Sequence, residues 1–205
     1  TANRLDNRDG GKVLADTTLA VDSAQTLNGN QGLLKGKTGL TLDGQTLDNT
    51  KGQLISGQDS RLTLSGDLDN SQGLVSSEGQ LQVSAAKLTN TAGSLSSAGT
   101  LTAKATAALI NQGGRLVSDS GITVSSASLD NSAQGVISGK GAVGVTTGAF
   151  DNGTGGLTSA DSLTLTAGQV TNQGGRIGSD KALTASVTGL DQQGGKLFSN
   201  SALTL

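Results

Sequence analysis

Residues 68–85 read LDNSQGLVSSEGQLQVSA, and the pattern returns as LTNTAGSLSSAGTLTAKA from Leu88, LINQGGRLVSDSGITVSS from Leu109 and VTNQGGRIGSDKALTASV from Val170. A chain that repeats itself at a fixed short period stacks like units, because one unit of that size cannot bury its own apolar face. Aligned on an aliphatic residue two places before Asn, the copies start at Leu5, Leu27, Leu47, Leu68, Leu88, Leu109, Leu129, Phe150, Val170 and Leu190, spaced 20 to 22 residues apart. Within each copy the aliphatics hold fixed slots: Leu68, Val75, Leu81 and Val83, then Leu88, Leu95, Leu101 and Ala103, then Leu109, Leu116, Ile122 and Val124.

Short runs such as LQVSA, ITVSS and LTLTA alternate with period two, and no window carries the i, i+3, i+4, i+7 stripe of a helix. Strands of a few residues, separated by Gly, Asn and Ser turns and repeated every 20 to 21 residues, wind into an all-β parallel β-helix solenoid of about ten coils. Residues 1–205 read as a single repeat array, a fragment of a longer filament. Proline, which would delete a ladder donor, is absent.

Two polar columns run through the repeat. Asn follows the starting aliphatic by two places at Asn7, Asn49, Asn70, Asn90, Asn111, Asn131, Asn152 and Asn172, with Gly29 and Gln192 breaking the column. Alternation points it inward at a corner. Asn tolerates the left-handed backbone of a sharp turn, and amides one strand spacing apart, about 4.8 Å, can bond along the axis. The second column is Ser56, Ser77, Ser97, Ser118, Ser138, Ser159, Ser179 and Ser199, nine residues after each start, where a small inward hydroxyl lets the chain bend. Glycine pairs after Asn, as in NQGG at 111–114 and 172–175, supply positive φ.

Composition removes most chemistry. There is no His and no Cys, so the commonest catalytic base, thiolate metal sites and disulfides are excluded. With 14 basic and 16 acidic residues and no charge run, nucleic acid and anionic membranes have no electrostatic footprint. No apolar stretch is long enough for a membrane span. GKGAVG at 139–144 matches a dinucleotide-loop pattern but precedes a strand where a helix would be needed. Asp6, Asp48, Asp69, Asp130, Asp151 and Asp191 precede the Asn column, near the spacing of paired glycosidase carboxylates in adjacent coils. Alternation turns that column to solvent, however, and Thr89, Ile110 and Thr171 share it. Arg115, Arg176 and Lys196 read as scattered outward cations, Phe150 as a core substitute for Leu and Phe198 as an exposed strand residue. The reading is of a non-enzyme without cofactor.

The pattern L-D-N-x-x-G-x-[LIV]-x-S followed by [LI]-x-[LV]-x-[AG] resembles the haemagglutinin repeats of filamentous-haemagglutinin-like exoproteins, over essentially residues 5–205. That resemblance implies a right-handed β-helix from a secreted filament on the surface of a Gram-negative bacterium. Such a filament is exported through an outer-membrane two-partner-secretion transporter. It belongs either to an adhesin or to a toxin-delivery exoprotein of contact-dependent growth inhibition. The expected role is a stalk projecting a distal receptor-binding or toxin region, with the target-cell receptor bound elsewhere in the parent protein. The alternative is an adhesive module binding glycans or proteins through its outer faces.

Overall fold

A computed structural model describes all of residues 1–205. The chain forms 24 strands and no helix, arranged as a β-solenoid of ten stacked coils. One coil illustrates the rest. From the corner at Asn70 the chain enters a four-residue strand, Leu74–Ser77, then turns into Leu81–Ala85, bends, and runs through Leu88–Thr89 to the next Asn. The four-residue strands of all coils build a ten-stranded sheet, and the remaining strands build a 14-stranded one. Pairing is parallel and joins each coil to the next, as in Val75↔Leu95 and Leu81↔Leu101. Near both ends of the array the bend is bridged, giving ten-residue strands at Thr18–Leu27 and Gly39–Asp48 and nine-residue strands such as Ile122–Asp130 and Leu163–Thr171.

Period-two alternation decides what lies inside. In the ten-stranded sheet the second residue of each strand is the apolar one, and Leu34, Leu54, Val75, Leu95, Leu116, Ile137, Leu157 and Ile177 are fully buried. Facing them are pairs such as Leu81 with Val83 and Leu163 with Leu165, while Leu47, Leu68, Leu88, Leu109 and Phe150 close the Asn corner. Together 36 buried residues form one continuous core. Each slot is filled by a small or branched aliphatic because the residue above and the one below occupy the same place one strand spacing away. Phe150 fits as a substitute for Leu at 1% exposure.

The register corrects the alignment at two places. Strand pairing sets Thr26, and not Leu27, opposite Leu5 and Leu47, so the second coil starts one residue earlier and Leu27 faces outward. Thr26 therefore sits in a leucine slot, fully buried, with its hydroxyl lacking any partner. In the seventh coil an extra residue after Asn131 moves the column, so Gly139 pairs with Ser118 and Ser159 while Ser138 faces outward. Residues 139–144 enclose a turn leading into the strand Val143–Asp151, as the strand context of GKGAVG requires.

Candidate functional site

The feature that ties the coils together is a ladder of side-chain amides. Asn7 Nδ2 donates to Asn28 Oδ1 at 2.7 Å, and Asn28 donates to Asn49 at 2.8 Å. The series runs on through Asn70, Asn90, Asn111, Asn131, Asn152 and Asn172 with separations of 2.6 to 2.8 Å. Asn172 then donates to Gln192 Oε1 at 3.0 Å. Every bond points the same way along the axis. Nine asparagines and one glutamine thus occupy all ten corners, and the second coil contributes Asn28 where the shifted alignment placed Gly29. Eight of the nine asparagines have no exposed surface, and Asn7 has 6%.

Each amide nitrogen also reaches the first carbonyl of the following coil's short strand, as Asn90 does to Arg115 O at 3.1 Å and Asn111 to Val136 O at 3.2 Å. These carbonyls fix which end of each amide is nitrogen. A side chain that both accepts and donates is needed, and Asn supplies both at a length that spans one coil rise. The left-handed residue is not the Asn itself. It lies two places on, at Lys51, Gln72, Ala92, Gly113, Thr154 and Gly174, with φ between +52° and +64°. The coil tolerates Lys, Gln, Ala and Thr there. The invariable glycine is the next residue, whose φ is ordinary: a Cβ on Gly114 would overlap the Asn90 carbonyl oxygen and lie 2.6 Å from Asn111 Oδ1. Close approach, and not positive φ, is what selects glycine at that position.

The aspartates before the Asn column point outward, and each caps its turn. Asp48 Oδ1 accepts from Thr50 N at 2.9 Å, Asp69 from Ser71 N at 2.8 Å, Asp130 from Ser132 N at 3.0 Å and Asp151 from Gly153 N at 2.8 Å. This is the local Asx turn that Asp favours. Asp191 makes the same bond to Gln193 N at 3.2 Å. Asp6 differs: Arg8 bonds it through the guanidinium at 2.7 Å, and this hydrogen bond holds the Asp6 carboxyl at about 2, below its usual 3.8, against the opposing effect of desolvation.

The opposite corner is looser. Its column reads Ala15, Gly36, Ser56, Ser77, Ser97, Ser118, Gly139, Ser159, Ser179 and Ser199. The hydroxyls bond backbone carbonyls and not one another: Ser97 to Gly99 O at 2.8 Å, Ser118 to Gly99 O at 2.7 Å, Ser159 to Gly141 O at 2.8 Å. Ser138, outside this column, accepts from the Thr158 hydroxyl at 3.0 Å. Arg115, Arg176 and Lys196 begin short strands and are exposed, with Arg176 and Lys196 paired in register. Phe198 lies over Gly178, where no side chain could fit beneath its ring, and Arg176 sits 4.0 Å from the ring centroid.

The family model of the haemagglutinin repeat matches residues 1–72, 70–113, 105–167 and 151–205, which together span the chain. The chain belongs to the haemagglutinin repeat family. Comparison with curated proteins and with solved structures found no match. For these haemagglutinin repeats the amide ladder, the close-approach glycine and the small-residue corner are three consequences of one requirement, that each coil fit the coil below it.

Proposed function

We propose that this segment is the stalk of a secreted, cell-surface filament of a Gram-negative bacterium, a rod that holds a distal receptor-binding or toxin region away from the producing cell. The parent protein crosses the outer membrane through a two-partner-secretion transporter, and its target-cell receptor is engaged by another region. The observation that carries this reading is the unbroken amide ladder from Asn7 to Gln192 alongside one continuous core. Such a coupling gives stiffness, because no coil can tilt without stretching bonds to both neighbours.

Excision of whole coils tests it. Deleting residues 109–149 removes two coils and joins Ala108 to Phe150 in register. A stalk keeps its β-sheet circular-dichroism signal and its resistance to trypsin, and shortens by about 10 Å. Loss of folding, or cleavage of the intact chain at the rate of an unfolded one, overturns the reading.

A further inference from the structure

The outer face of the ten-stranded sheet is not flat. A groove of about 430 Å³ runs along it over Ser76, Ser96 and Ser138, walled by Arg115, Asp119 and Lys140. A second, of about 290 Å³, shares Ser138 and Lys140 and continues over Thr158 to Arg176, Asp180 and Phe198. The two form one trough along the axis. Its floor is made of the third residue of successive short strands, which alternation turns outward; from Ser76 to Gly178 that residue is Ser, Thr or Gly in every coil but one, where Val117 stands between Ser96 and Ser138.

We infer that this trough binds an extended, neutral polysaccharide chain. Charge decides against a polyanion: Arg115, Lys140 and Arg176 are matched by Glu78, Asp119 and Asp180 in the same lining, and Lys140 is already paired with Asp119 at 2.8 Å. Phosphate or sulfate polymers need a surplus of cations, and three carboxylates would repel them. A sugar hydroxyl both donates and accepts, so it can use guanidinium, carboxylate and serine hydroxyl in turn. The coil rise of about 4.8 Å is close to the length of one hexose in an extended chain, so successive coils meet successive sugars. Phe198 is the only aromatic ring with any exposure, since Phe150 is in the core, and it closes the trough at its last coil beside Arg176. The inference adds to the stalk reading and does not rest on it.

The test is an NMR titration of the isotope-labelled 205-residue chain with cellohexaose, laminarihexaose and mannohexaose, with heparin as the polyanion. At least one neutral hexasaccharide is expected to bind with a Kd of about 1 mM or tighter. It should shift the amides of Ser96, Ser138, Thr158 and Phe198. Ser138→Leu, which fills the floor, and Arg176→Ala each weaken that binding at least about tenfold. Both side chains face outward, so circular dichroism should report an unchanged fold. Thr164→Leu, on the other sheet, leaves the binding as it was. Three results overturn the inference: no shift with any neutral chain at about 10 mM, binding of heparin alone, or shifts confined to the larger sheet.

Discussion

The two corners of the coil solve the same problem with different strictness. At one, all ten positions are amides that bond coil to coil. At the other, seven serines are interspersed with Ala15, Gly36 and Gly139, and each hydroxyl bonds a nearby carbonyl. The difference lies in what is left behind when the side chain is lost. Removing an inward serine deletes bonds to backbone groups alone, whereas removing an asparagine takes a partner from the side-chain amide on either side of it. Sequence tolerance follows the number of coils a side chain holds.

The most direct way to break that contrast is to truncate both corners. Asn111→Ala takes the side-chain acceptor from Asn90 Nδ2, which keeps only backbone carbonyls, and leaves Asn131 Oδ1 without its donor in a fully buried site; it should cost about 2–5 kcal/mol. Ser118→Ala should cost about 1 kcal/mol, and Asp130→Ala, which removes bonds from Ser132 and Gln112 on the outward side of the turn, less than either. Urea midpoints of the three variants rank them; equal midpoints for Asn111→Ala and Ser118→Ala would end the comparison. Asn111→Asp is a sharper form of the same test. Its second carboxylate oxygen faces Asn131 Oδ1, an acceptor against an acceptor, so burial raises its pKa above the ordinary Asp value. The variant's stability is then present at low pH, where the group is protonated, and falls as pH rises through that raised value.

A second pair of substitutions separates the two glycines of NQGG. Gly114→Ala pushes a Cβ into the Asn90 carbonyl and should cost about 1–3 kcal/mol. Gly113→Ala adopts a φ of +60° that Ala92 and Ala133 already adopt at +52°, and should cost about 1 kcal/mol or less. Thermal denaturation checks the order, and the reverse order would return positive φ to the role that close approach holds here.

Much of this was legible in the sequence, and the exceptions share one cause. The period, the aliphatic slots and eight ladder asparagines are visible because each recurs at fixed distance from an aliphatic start. The start failed where the aliphatic did: Thr26 occupies a leucine slot beside Leu27, so hydrophobicity drew the frame one residue late and hid Asn28. Ser138 took the place of Gly139 because the corner after Asn131 holds two left-handed residues, Ala133 and Gln134, in place of one. A different anchor recovers the small-residue column. Counting four residues on from each close-approach glycine, Gly11, Gly32, Gly52, Gly73, Gly93, Gly114, Gly135, Gly155, Gly175 and Gly195, reaches every member of the small-residue corner. Glycine is the better anchor because steric exclusion admits no substitute, while a hydrophobic slot accepts Thr. The trough was not legible, since its walls come from coils whose relative register only the folded chain sets.

Thr26 offers a test in the opposite direction, toward greater stability. Its hydroxyl is buried between Leu5 and Leu47 without a partner. Thr26→Val keeps the shape and removes the unpaired oxygen, and should raise stability by about 1 kcal/mol, read as a higher denaturation midpoint. A lower midpoint would mean that the hydroxyl contributes to the second coil's fit in some other way.

The smallest effect belongs to the only carboxylate at the Asn corner that is held by an ion pair. Asp6 is kept at about 2 chiefly by the Arg8 side-chain hydrogen bond, aided by the Arg8 backbone N–H and by the charges of Arg8 and Arg4, and the same contact raises the Arg8 pKa. Because the folded value lies below the ordinary 3.8, the pair's contribution is present above that pH and is lost as pH falls through about 2. Both partners are exposed, so the global midpoint should hardly move. Arg8→Ala should return the Asp6 titration, followed by carboxyl NMR, to the range of an ordinary carboxylate. If Asp6 stayed near 2 without Arg8, the turn itself would be what depresses it.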